Sequence, residues 1–154
     1  MKRALLLIAA VLMALLGATT ASATPADHAR PGTTAKPAAG WTVTPAADFT
    51  TQALSCSAGN LCVWPVTDGS RNRCSWVNRD NDWWYTPVVC SWSSSSPVKA
   101  IYNNGTSSEY DGVCLYRGAN YTSPEIWVPQ GAQATNSTGV ILRSHKWVRP
   151  SEYC

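Results

Sequence analysis

Six cysteines are the feature that most constrains this chain, and all of them lie between Cys56 and Cys154. An even number of cysteines in a small exported domain predicts a disulfide framework. A metal site is the competing interpretation, but the chain has no Cys-x-x-Cys pair. Its two histidines, His28 and His145, lie outside any His-Glu-x-x-His motif. We therefore expect disulfides, with no metal site and no cofactor. Six cysteines allow many pairings, so the cysteine count leaves the connectivity open.

Residues 1–23 have the three parts of a secretory signal peptide. Lys2 and Arg3 form a positive region, an apolar stretch follows, and Ala21-Ser22-Ala23 offers a cleavage site. The apolar stretch is shorter than the roughly 20 residues that a bilayer-spanning helix needs. We expect a secreted, extracellular protein that has no membrane contact after the signal is cleaved.

The charge pattern argues against a nucleic-acid partner. The formal net charge is +3, and removing Lys2 and Arg3 leaves a mature chain near +1. A nucleic-acid-binding protein normally shows a basic stripe or a recognisable binding motif, and this sequence has neither.

Composition divides the mature chain into two parts. Residues 24–53 are rich in Ala, Thr and Pro and have little to bury apart from Trp41, which predicts a flexible linker or a propeptide. Residues 54–154 form one folded domain. Short apolar runs bounded by turn-forming residues predict that this domain is all-β. These runs are residues 61–65, 98–102, 113–116, 126–128 and 140–142.

Two of these runs are similar to each other. Leu-Cys-Val-Trp at residues 61–64 is followed 52 residues later by Val-Cys-Leu-Tyr at residues 113–116. A strand, a turn and a return strand that occur twice suit two Greek-key motifs packed as two sheets. The alternative is a chance similarity between two short β-runs.

Five segments, spread over nearly the whole folded domain, carry a resemblance to a known family. They are the Cys-x-x-Gly-x-x-Cys motif of residues 56–62 with Val63 and Trp64, the Cys-Ser-Trp pair at 74–76 and 90–92, and residues 98–106, 115–121 and 143–147. In this order they resemble the Streptomyces metalloproteinase inhibitor family, peptidase inhibitor family 36. The resemblance implies a βγ-crystallin-like two-sheet sandwich of two Greek-key motifs, stapled by disulfides.

The resemblance also favours one disulfide pairing. The family motif, with Gly59 in a short ring, favours Cys56 with Cys62. If the remaining pairs are sequential, Cys74 pairs with Cys90 and Cys114 pairs with Cys154. A bond between Cys62 and Cys74 would contradict this pairing.

Two positions depart from the crystallin-like pattern. Tyr116-x4-Tyr121-x-Ser123 resembles the hairpin signature of these motifs, but it has Ser where Gly is usual, and Ser carries a steric cost at positive φ. Residues 95–100, which correspond to the calcium-binding stretch of such domains, have serines in place of acidic or amide ligands. Lys99 stands there in place of a hydroxyl ligand. Calcium needs hard oxygen ligands, so we expect no calcium site.

The resemblance implies inhibition of an extracellular protease, above all a thermolysin-like metalloprotease. A protein inhibitor needs an exposed, rigid loop, because a loop that is already ordered loses less entropy on binding. The segment between Cys74 and Cys90 is the candidate. Its proposed contact residues are Trp83, Trp84, Tyr85, Pro87, Val88 and Val89. The alternative is that its tryptophans and one of its valines cover the core, because aromatic residues that flank strands usually pack.

Two other functions compete with inhibition. An enzyme is not expected, because the serine-rich run 91–96 lacks a Gly-x-Ser-x-Gly motif and His145 has no assignable acid partner. A carbohydrate- or cell-wall-binding module is the main alternative, because the chain has eight tryptophans and aromatic faces suit sugar rings. Against it, Trp64, Trp76, Trp92 and Trp127 lie in strand-like runs, where core packing is the usual role.

Overall fold

The computed structural model describes residues 40–45, 48 and 54–154. The predicted signal peptide, residues 1–23, and most of the segment 24–53 lie outside the described residues. Eight strands form in the described part of the chain: β1 (Thr42–Thr44), β2 (Asn60–Trp64), β3 (Cys74–Trp76), β4 (Val98–Asn104), β5 (Gly112–Tyr116), β6 (Pro124–Pro129), β7 (Gln133–Val140) and β8 (Ser144–Val148). A 3-10 helix of three residues, Ala119–Tyr121, lies between β5 and β6. No helix in these ranges is long and apolar enough to cross a membrane.

The strands form two antiparallel sheets, which confirms the all-β prediction. The larger sheet has the order β1-β7-β4-β2-β3, and the smaller sheet has the order β6-β5-β8. An isolated antiparallel bridge between Asp80 and His145 brings the segment after β3 to the outer edge of β8. The two similar sequence runs form β2 and β5, and each is an inner strand of its sheet.

Four of the five predicted apolar runs form strands, and the fifth does not. Residues 61–65, 98–102, 113–116 and 126–128 lie almost wholly in β2, β4, β5 and β6. In the run 140–142, by contrast, only Val140 belongs to a strand, and Leu142 is buried outside both sheets. Leu142 packs in the main core without belonging to a strand, so this apolar run reports burial and not strand pairing.

The main hydrophobic core combines inward-facing residues of both sheets. Neighbouring residues of a strand point to opposite faces, so alternate positions of β2 and β5 enter the same core. Leu61 and Val63 of β2 and Val113 and Leu115 of β5 are fully buried in this cluster. Full burial of one such side chain stabilises the fold by about 1.5–3 kcal/mol.

The folded part of the chain differs from the expected boundary at residue 54. Thr42–Thr44 forms β1, which pairs antiparallel with β7 at the edge of the larger sheet. Trp41 is buried, and its indole N–H donates a hydrogen bond of 3.0 Å to the Glu125 carboxylate. Glu125 also accepts a hydrogen bond of 2.5 Å from the Arg117 guanidinium. Burial of one large aromatic ring with its polar atom satisfied offsets the entropy of ordering this short stretch.

Three disulfides join Cys56 to Cys62, Cys74 to Cys90, and Cys114 to Cys154. These are the pairs that the family motif and a sequential arrangement favour. The first closes a short ring that ends within β2, the second links β3 to the chain before β4, and the third ties β5 to Cys154. Disulfides of this kind compensate for the small core of a domain of this size.

The hairpin between β5 and β6 has three non-glycine residues with positive φ angles. Ser123 has a φ of 55°, and Asn120 and Tyr121 also have positive φ angles of 54° and 62°. The rings of Tyr116 and Tyr121 meet edge to face with their centroids 5.8 Å apart. Ser123 therefore adopts the left-handed conformation in which glycine would carry no steric cost.

Candidate functional site

The segment between Cys74 and Cys90 has a buried base and an exposed tip. Trp83 is fully buried and Cys90 is fully buried, whereas residues 85–89 between them are all exposed. The backbone N–H of Cys90 donates a hydrogen bond of 2.7 Å to the carbonyl of Trp83. The exposed tip, residues 85–89, therefore starts and ends at two buried residues whose backbones are joined.

Trp83 is fixed by stacking and by a buried hydrogen bond. Its ring stacks on Trp76 of β3 with a centroid distance of 4.5 Å and an interplanar angle of 26°. Its indole N–H donates a hydrogen bond of 2.9 Å to Nδ1 of His145 in β8. Its backbone N–H donates to the carbonyl of Arg143 at 2.8 Å. Trp83 thus connects the base of the tip to β3 and to the chain at β8.

His145 has one defined protonation state in this cluster. Because its Nδ1 accepts from Trp83, the ring is neutral and Nε2 carries the proton, which is donated to the carbonyl of Asn78 at 3.0 Å. The side chain is completely buried, and the loss of hydration lowers the pKa of His145 to about 3. His145 therefore works as a neutral hydrogen-bonding bridge between two parts of the Cys74–Cys90 segment.

A charged contact fixes the residues on either side of Trp83. The guanidinium of Arg143 donates two hydrogen bonds to the Asp82 carboxylate, at 2.9 and 2.6 Å, and lies over the Trp84 ring at 4.0 Å from its centroid. The hydrogen bonds from Arg143 lower the pKa of Asp82 below its ordinary value. Bidentate arginine–carboxylate pairs are geometrically specific, so this contact orients Asp82 and Trp84.

The exposed tip presents an apolar surface. Tyr85 is 64% exposed, Val88 39% and Val89 53%. The Thr86–Pro87 peptide bond within the tip is cis. Large apolar side chains at such exposure are unremarkable singly, but several of them on one short segment are typical of an interaction site.

The structure divides the predicted contact residues into two groups. Trp83 packs in the core and Trp84 packs partly against it, as the packing alternative expects. The remaining four, Tyr85, Pro87, Val88 and Val89, lie in the exposed tip. The base of the tip is fixed by Asp82, Arg143 and His145, which the sequence does not mark as part of the site. The sequence offers little signal for them, because Arg143 is 61 residues from Asp82 and His145 is 62 residues from Trp83.

None of the eight tryptophans is fully exposed. Trp41, Trp64, Trp76 and Trp83 are buried, and Trp84, Trp92, Trp127 and Trp147 are half-buried. Trp64 and Trp76 pack in the core as their strand positions suggest. A polysaccharide-binding module that relies on exposed tryptophans is therefore less well supported than a loop-based function.

The described residues contain no group of three or more His, Cys, Asp or Glu side chains that could hold a metal ion. Three disulfides are compatible with an extracellular protein.

Comparison of the chain with protein-family models, with curated proteins and with solved structures finds no match.

Proposed function

We propose that the chain is a secreted peptidase inhibitor with a βγ-crystallin-like fold, and that the exposed tip of the Cys74–Cys90 segment enters the active-site cleft of an extracellular metalloprotease. The observation that carries the proposal is the exposed apolar tip between two buried, mutually hydrogen-bonded residues. The resemblance of the sequence to the metalloproteinase inhibitor family gives the target class.

The strand order supports the crystallin-like part of the proposal. In the first half of the domain, the first, second and fourth strands of the motif are β2, β3 and β4, and all three lie in the larger sheet. The fourth strand, β4, lies beside the first strand, β2. The third position of this half is the segment of Asp80, which crosses to the edge of β8 in the other sheet. The second half repeats the pattern, because β5, β6 and β8 form the smaller sheet and β7 crosses to the larger one. A fourth strand that returns beside the first is the mark of a Greek key.

The restraints at the base of the tip support an inhibitory role. A loop that binds like a substrate gains affinity when its bound conformation is already ordered. Here a disulfide joins Cys90 to β3, Trp83 is buried against His145, and Asp82 is paired with Arg143. All three restraints lie outside residues 85–89, so the side chains of the tip remain available to a partner.

The chemistry of the tip supports an apolar cleft as its target. Tyr85, Val88 and Val89 are uncharged, and residues 85–89 contain no Asp, Glu, Lys or Arg. A trypsin-like protease, whose specificity pocket carries an aspartate, selects a basic side chain, which the tip lacks. A thermolysin-like protease with an apolar specificity pocket fits Val88 or Val89.

The test is a titration of the full-length secreted protein against thermolysin-like, subtilisin-like and trypsin-like proteases. We expect inhibition of the thermolysin-like enzyme, and we expect Val88→Asp to weaken it at least about tenfold. An unpaired carboxylate in an apolar cleft costs more than the 1.4 kcal/mol that corresponds to a tenfold change.

Val77→Asp is the matched control. Val77 belongs to the same disulfide-bounded segment and is 63% exposed, but it lies outside the tip. Equal losses of inhibition in Val77→Asp and Val88→Asp would exclude the tip as the contact site. No inhibition of any of the three proteases at micromolar concentration would overturn the proposed function itself.

A further inference from the structure

A groove with a volume of about 790 Å³ lies beside β8, apart from the exposed tip. Its walls come from residues 77–79, from the turn after β4 and from the end of β8, and no residue of 85–89 lines it. A groove of this size is in the range of small-ligand sites. Nothing in the proposed inhibitory function uses it.

One wall of the groove is a fixed aromatic corner. The indole N–H of Trp147 donates a hydrogen bond of 3.0 Å to the carbonyl of Val77. The rings of Tyr110 and Trp147 are 6.5 Å apart and inclined by 35°. Gly105 lies directly under the indole, because a Cβ at this position would be 2.8 Å from a ring carbon of Trp147. The half-buried Trp147 ring therefore has a defined position at the groove.

The groove carries more positive than negative charge. Arg79, Lys146 and Arg149 line it, and Glu152 is the one acidic residue among the described residues that do. Arg149 forms ion pairs with Glu109 and Glu152. No ion pair between residues that the structure describes involves Arg79 or Lys146. An anionic ligand would complement this excess charge.

The remaining lining is polar and uncharged. Asn78, Thr106, Ser107 and Gln130 supply amide and hydroxyl groups, and Val77 is the one aliphatic residue among the described residues of the wall. Such a wall offers hydrogen bonds to a hydroxyl-rich ligand, whereas a peptide partner would need apolar sockets for its side chains.

We propose that this groove binds an anionic polysaccharide whose sugar units carry carboxylates. The apolar face of a sugar ring packs against Trp147 and Tyr110, and carboxylates pair with Arg79 and Lys146. The amide and hydroxyl side chains bind the sugar hydroxyls. The groove shares no residue with the exposed tip, so its binding test is separate from the protease titration.

The test measures binding of oligogalacturonate to the full-length protein by calorimetry at low ionic strength. We expect binding that weakens as salt is added, because screening acts on exposed charges. We expect the double variant Arg79→Gln/Lys146→Gln to bind about tenfold more weakly, since each exposed ion pair contributes modestly. Tyr110→Ala, which leaves these two charges in place, should weaken binding about threefold to tenfold.

The matched control is Arg71→Gln/Lys99→Gln, which removes the same charge from a smaller groove elsewhere on the surface. This control should bind oligogalacturonate as the unaltered protein does. An equal loss in both double variants would reduce the effect to general charge attraction and overturn the proposal. Equal binding of neutral cellohexaose would also overturn it, as would no binding of oligogalacturonate at millimolar concentration. Equal binding of oligoglutamate would overturn it too and would indicate a site for acidic peptides.

Discussion

Acid should destabilise this domain through one buried side chain, His145. Its Nδ1 accepts the indole N–H of Trp83, and its Nε2–H is donated to the carbonyl of Asn78. Protonation would place a second N–H opposite the indole N–H and would bury a charge at a completely buried position. Burial lowers the pKa of His145 to about 3 from the ordinary value of 6.5.

The sign of the effect follows from this lowered pKa. Between pH 6.5 and about 3 the unfolded chain binds a proton at residue 145 and the folded chain does not, so stability falls as pH falls through this range. Stability from this group is complete above pH 6.5. In this range each pH unit below 6.5 costs about 1.4 kcal/mol, so the loss is about 2 kcal/mol at pH 5 and about 3 kcal/mol at pH 4. Since small domains are stable by about 5–15 kcal/mol, such a loss is readily measured.

The assay is denaturant unfolding followed by tryptophan fluorescence at pH 7 and pH 5, with the disulfides intact. Asp82 also has a lowered pKa, but its contribution is lost only as pH falls through and below its ordinary value of 3.8, so this pH window separates the two groups. His145→Gln, which cannot titrate, should lose about 2 kcal/mol less than the unaltered protein between pH 7 and pH 5. The same pH dependence in both proteins would refute the assignment to His145.

Three further substitutions test local features of the fold. Ser123→Gly should raise the free energy of unfolding by up to about 1 kcal/mol, because Ser123 has a φ of 55°; Ser94→Gly, at an exposed position without positive φ, should lower it. Gly112→Ala should lower the melting temperature and cost about 1–3 kcal/mol, because the added Cβ would overlap the indole of Trp127. Arg143→Gln, which removes both charge-assisted hydrogen bonds to the carboxylate before Trp83, should speed amide hydrogen exchange at residues 83–85 while β5 stays protected.

The strands that the sequence predicted well are those rich in large apolar residues. β2 and β5 have buried residues at almost every position, so their apolar runs marked them clearly. Most of β7 is not predicted by the sequence, because Gln133–Val140 is mostly polar and its buried positions are Ala134 and Asn136. Its strand form depends on pairing with β4 and β1, which a local pattern does not encode.

The candidate site could be located from the sequence but not divided into base and tip. The spacing of Cys74 and Cys90 marked a bounded segment, and its run of aromatic residues and valines marked it as unusual. Whether a given aromatic is buried there depends on partners far along the chain. Trp83 is buried where its ring meets the rings of Trp76 and His145. Tyr85, two residues later, is exposed.

The Cys74–Cys90 disulfide alone would not make the tip rigid, because the two cysteines are 16 residues apart in the sequence and the loop between them is long. The shorter restraint is the hydrogen bond from Cys90 to Trp83, which closes the chain around residues 84–89. That bond has a fixed position only while Trp83 is anchored. The neutral His145 ring supplies one of the anchoring contacts, beside the stacked Trp76 ring and the carbonyl of Arg143. The order of the tip and the acid sensitivity of the domain therefore share one contact, the hydrogen bond from the Trp83 indole to His145.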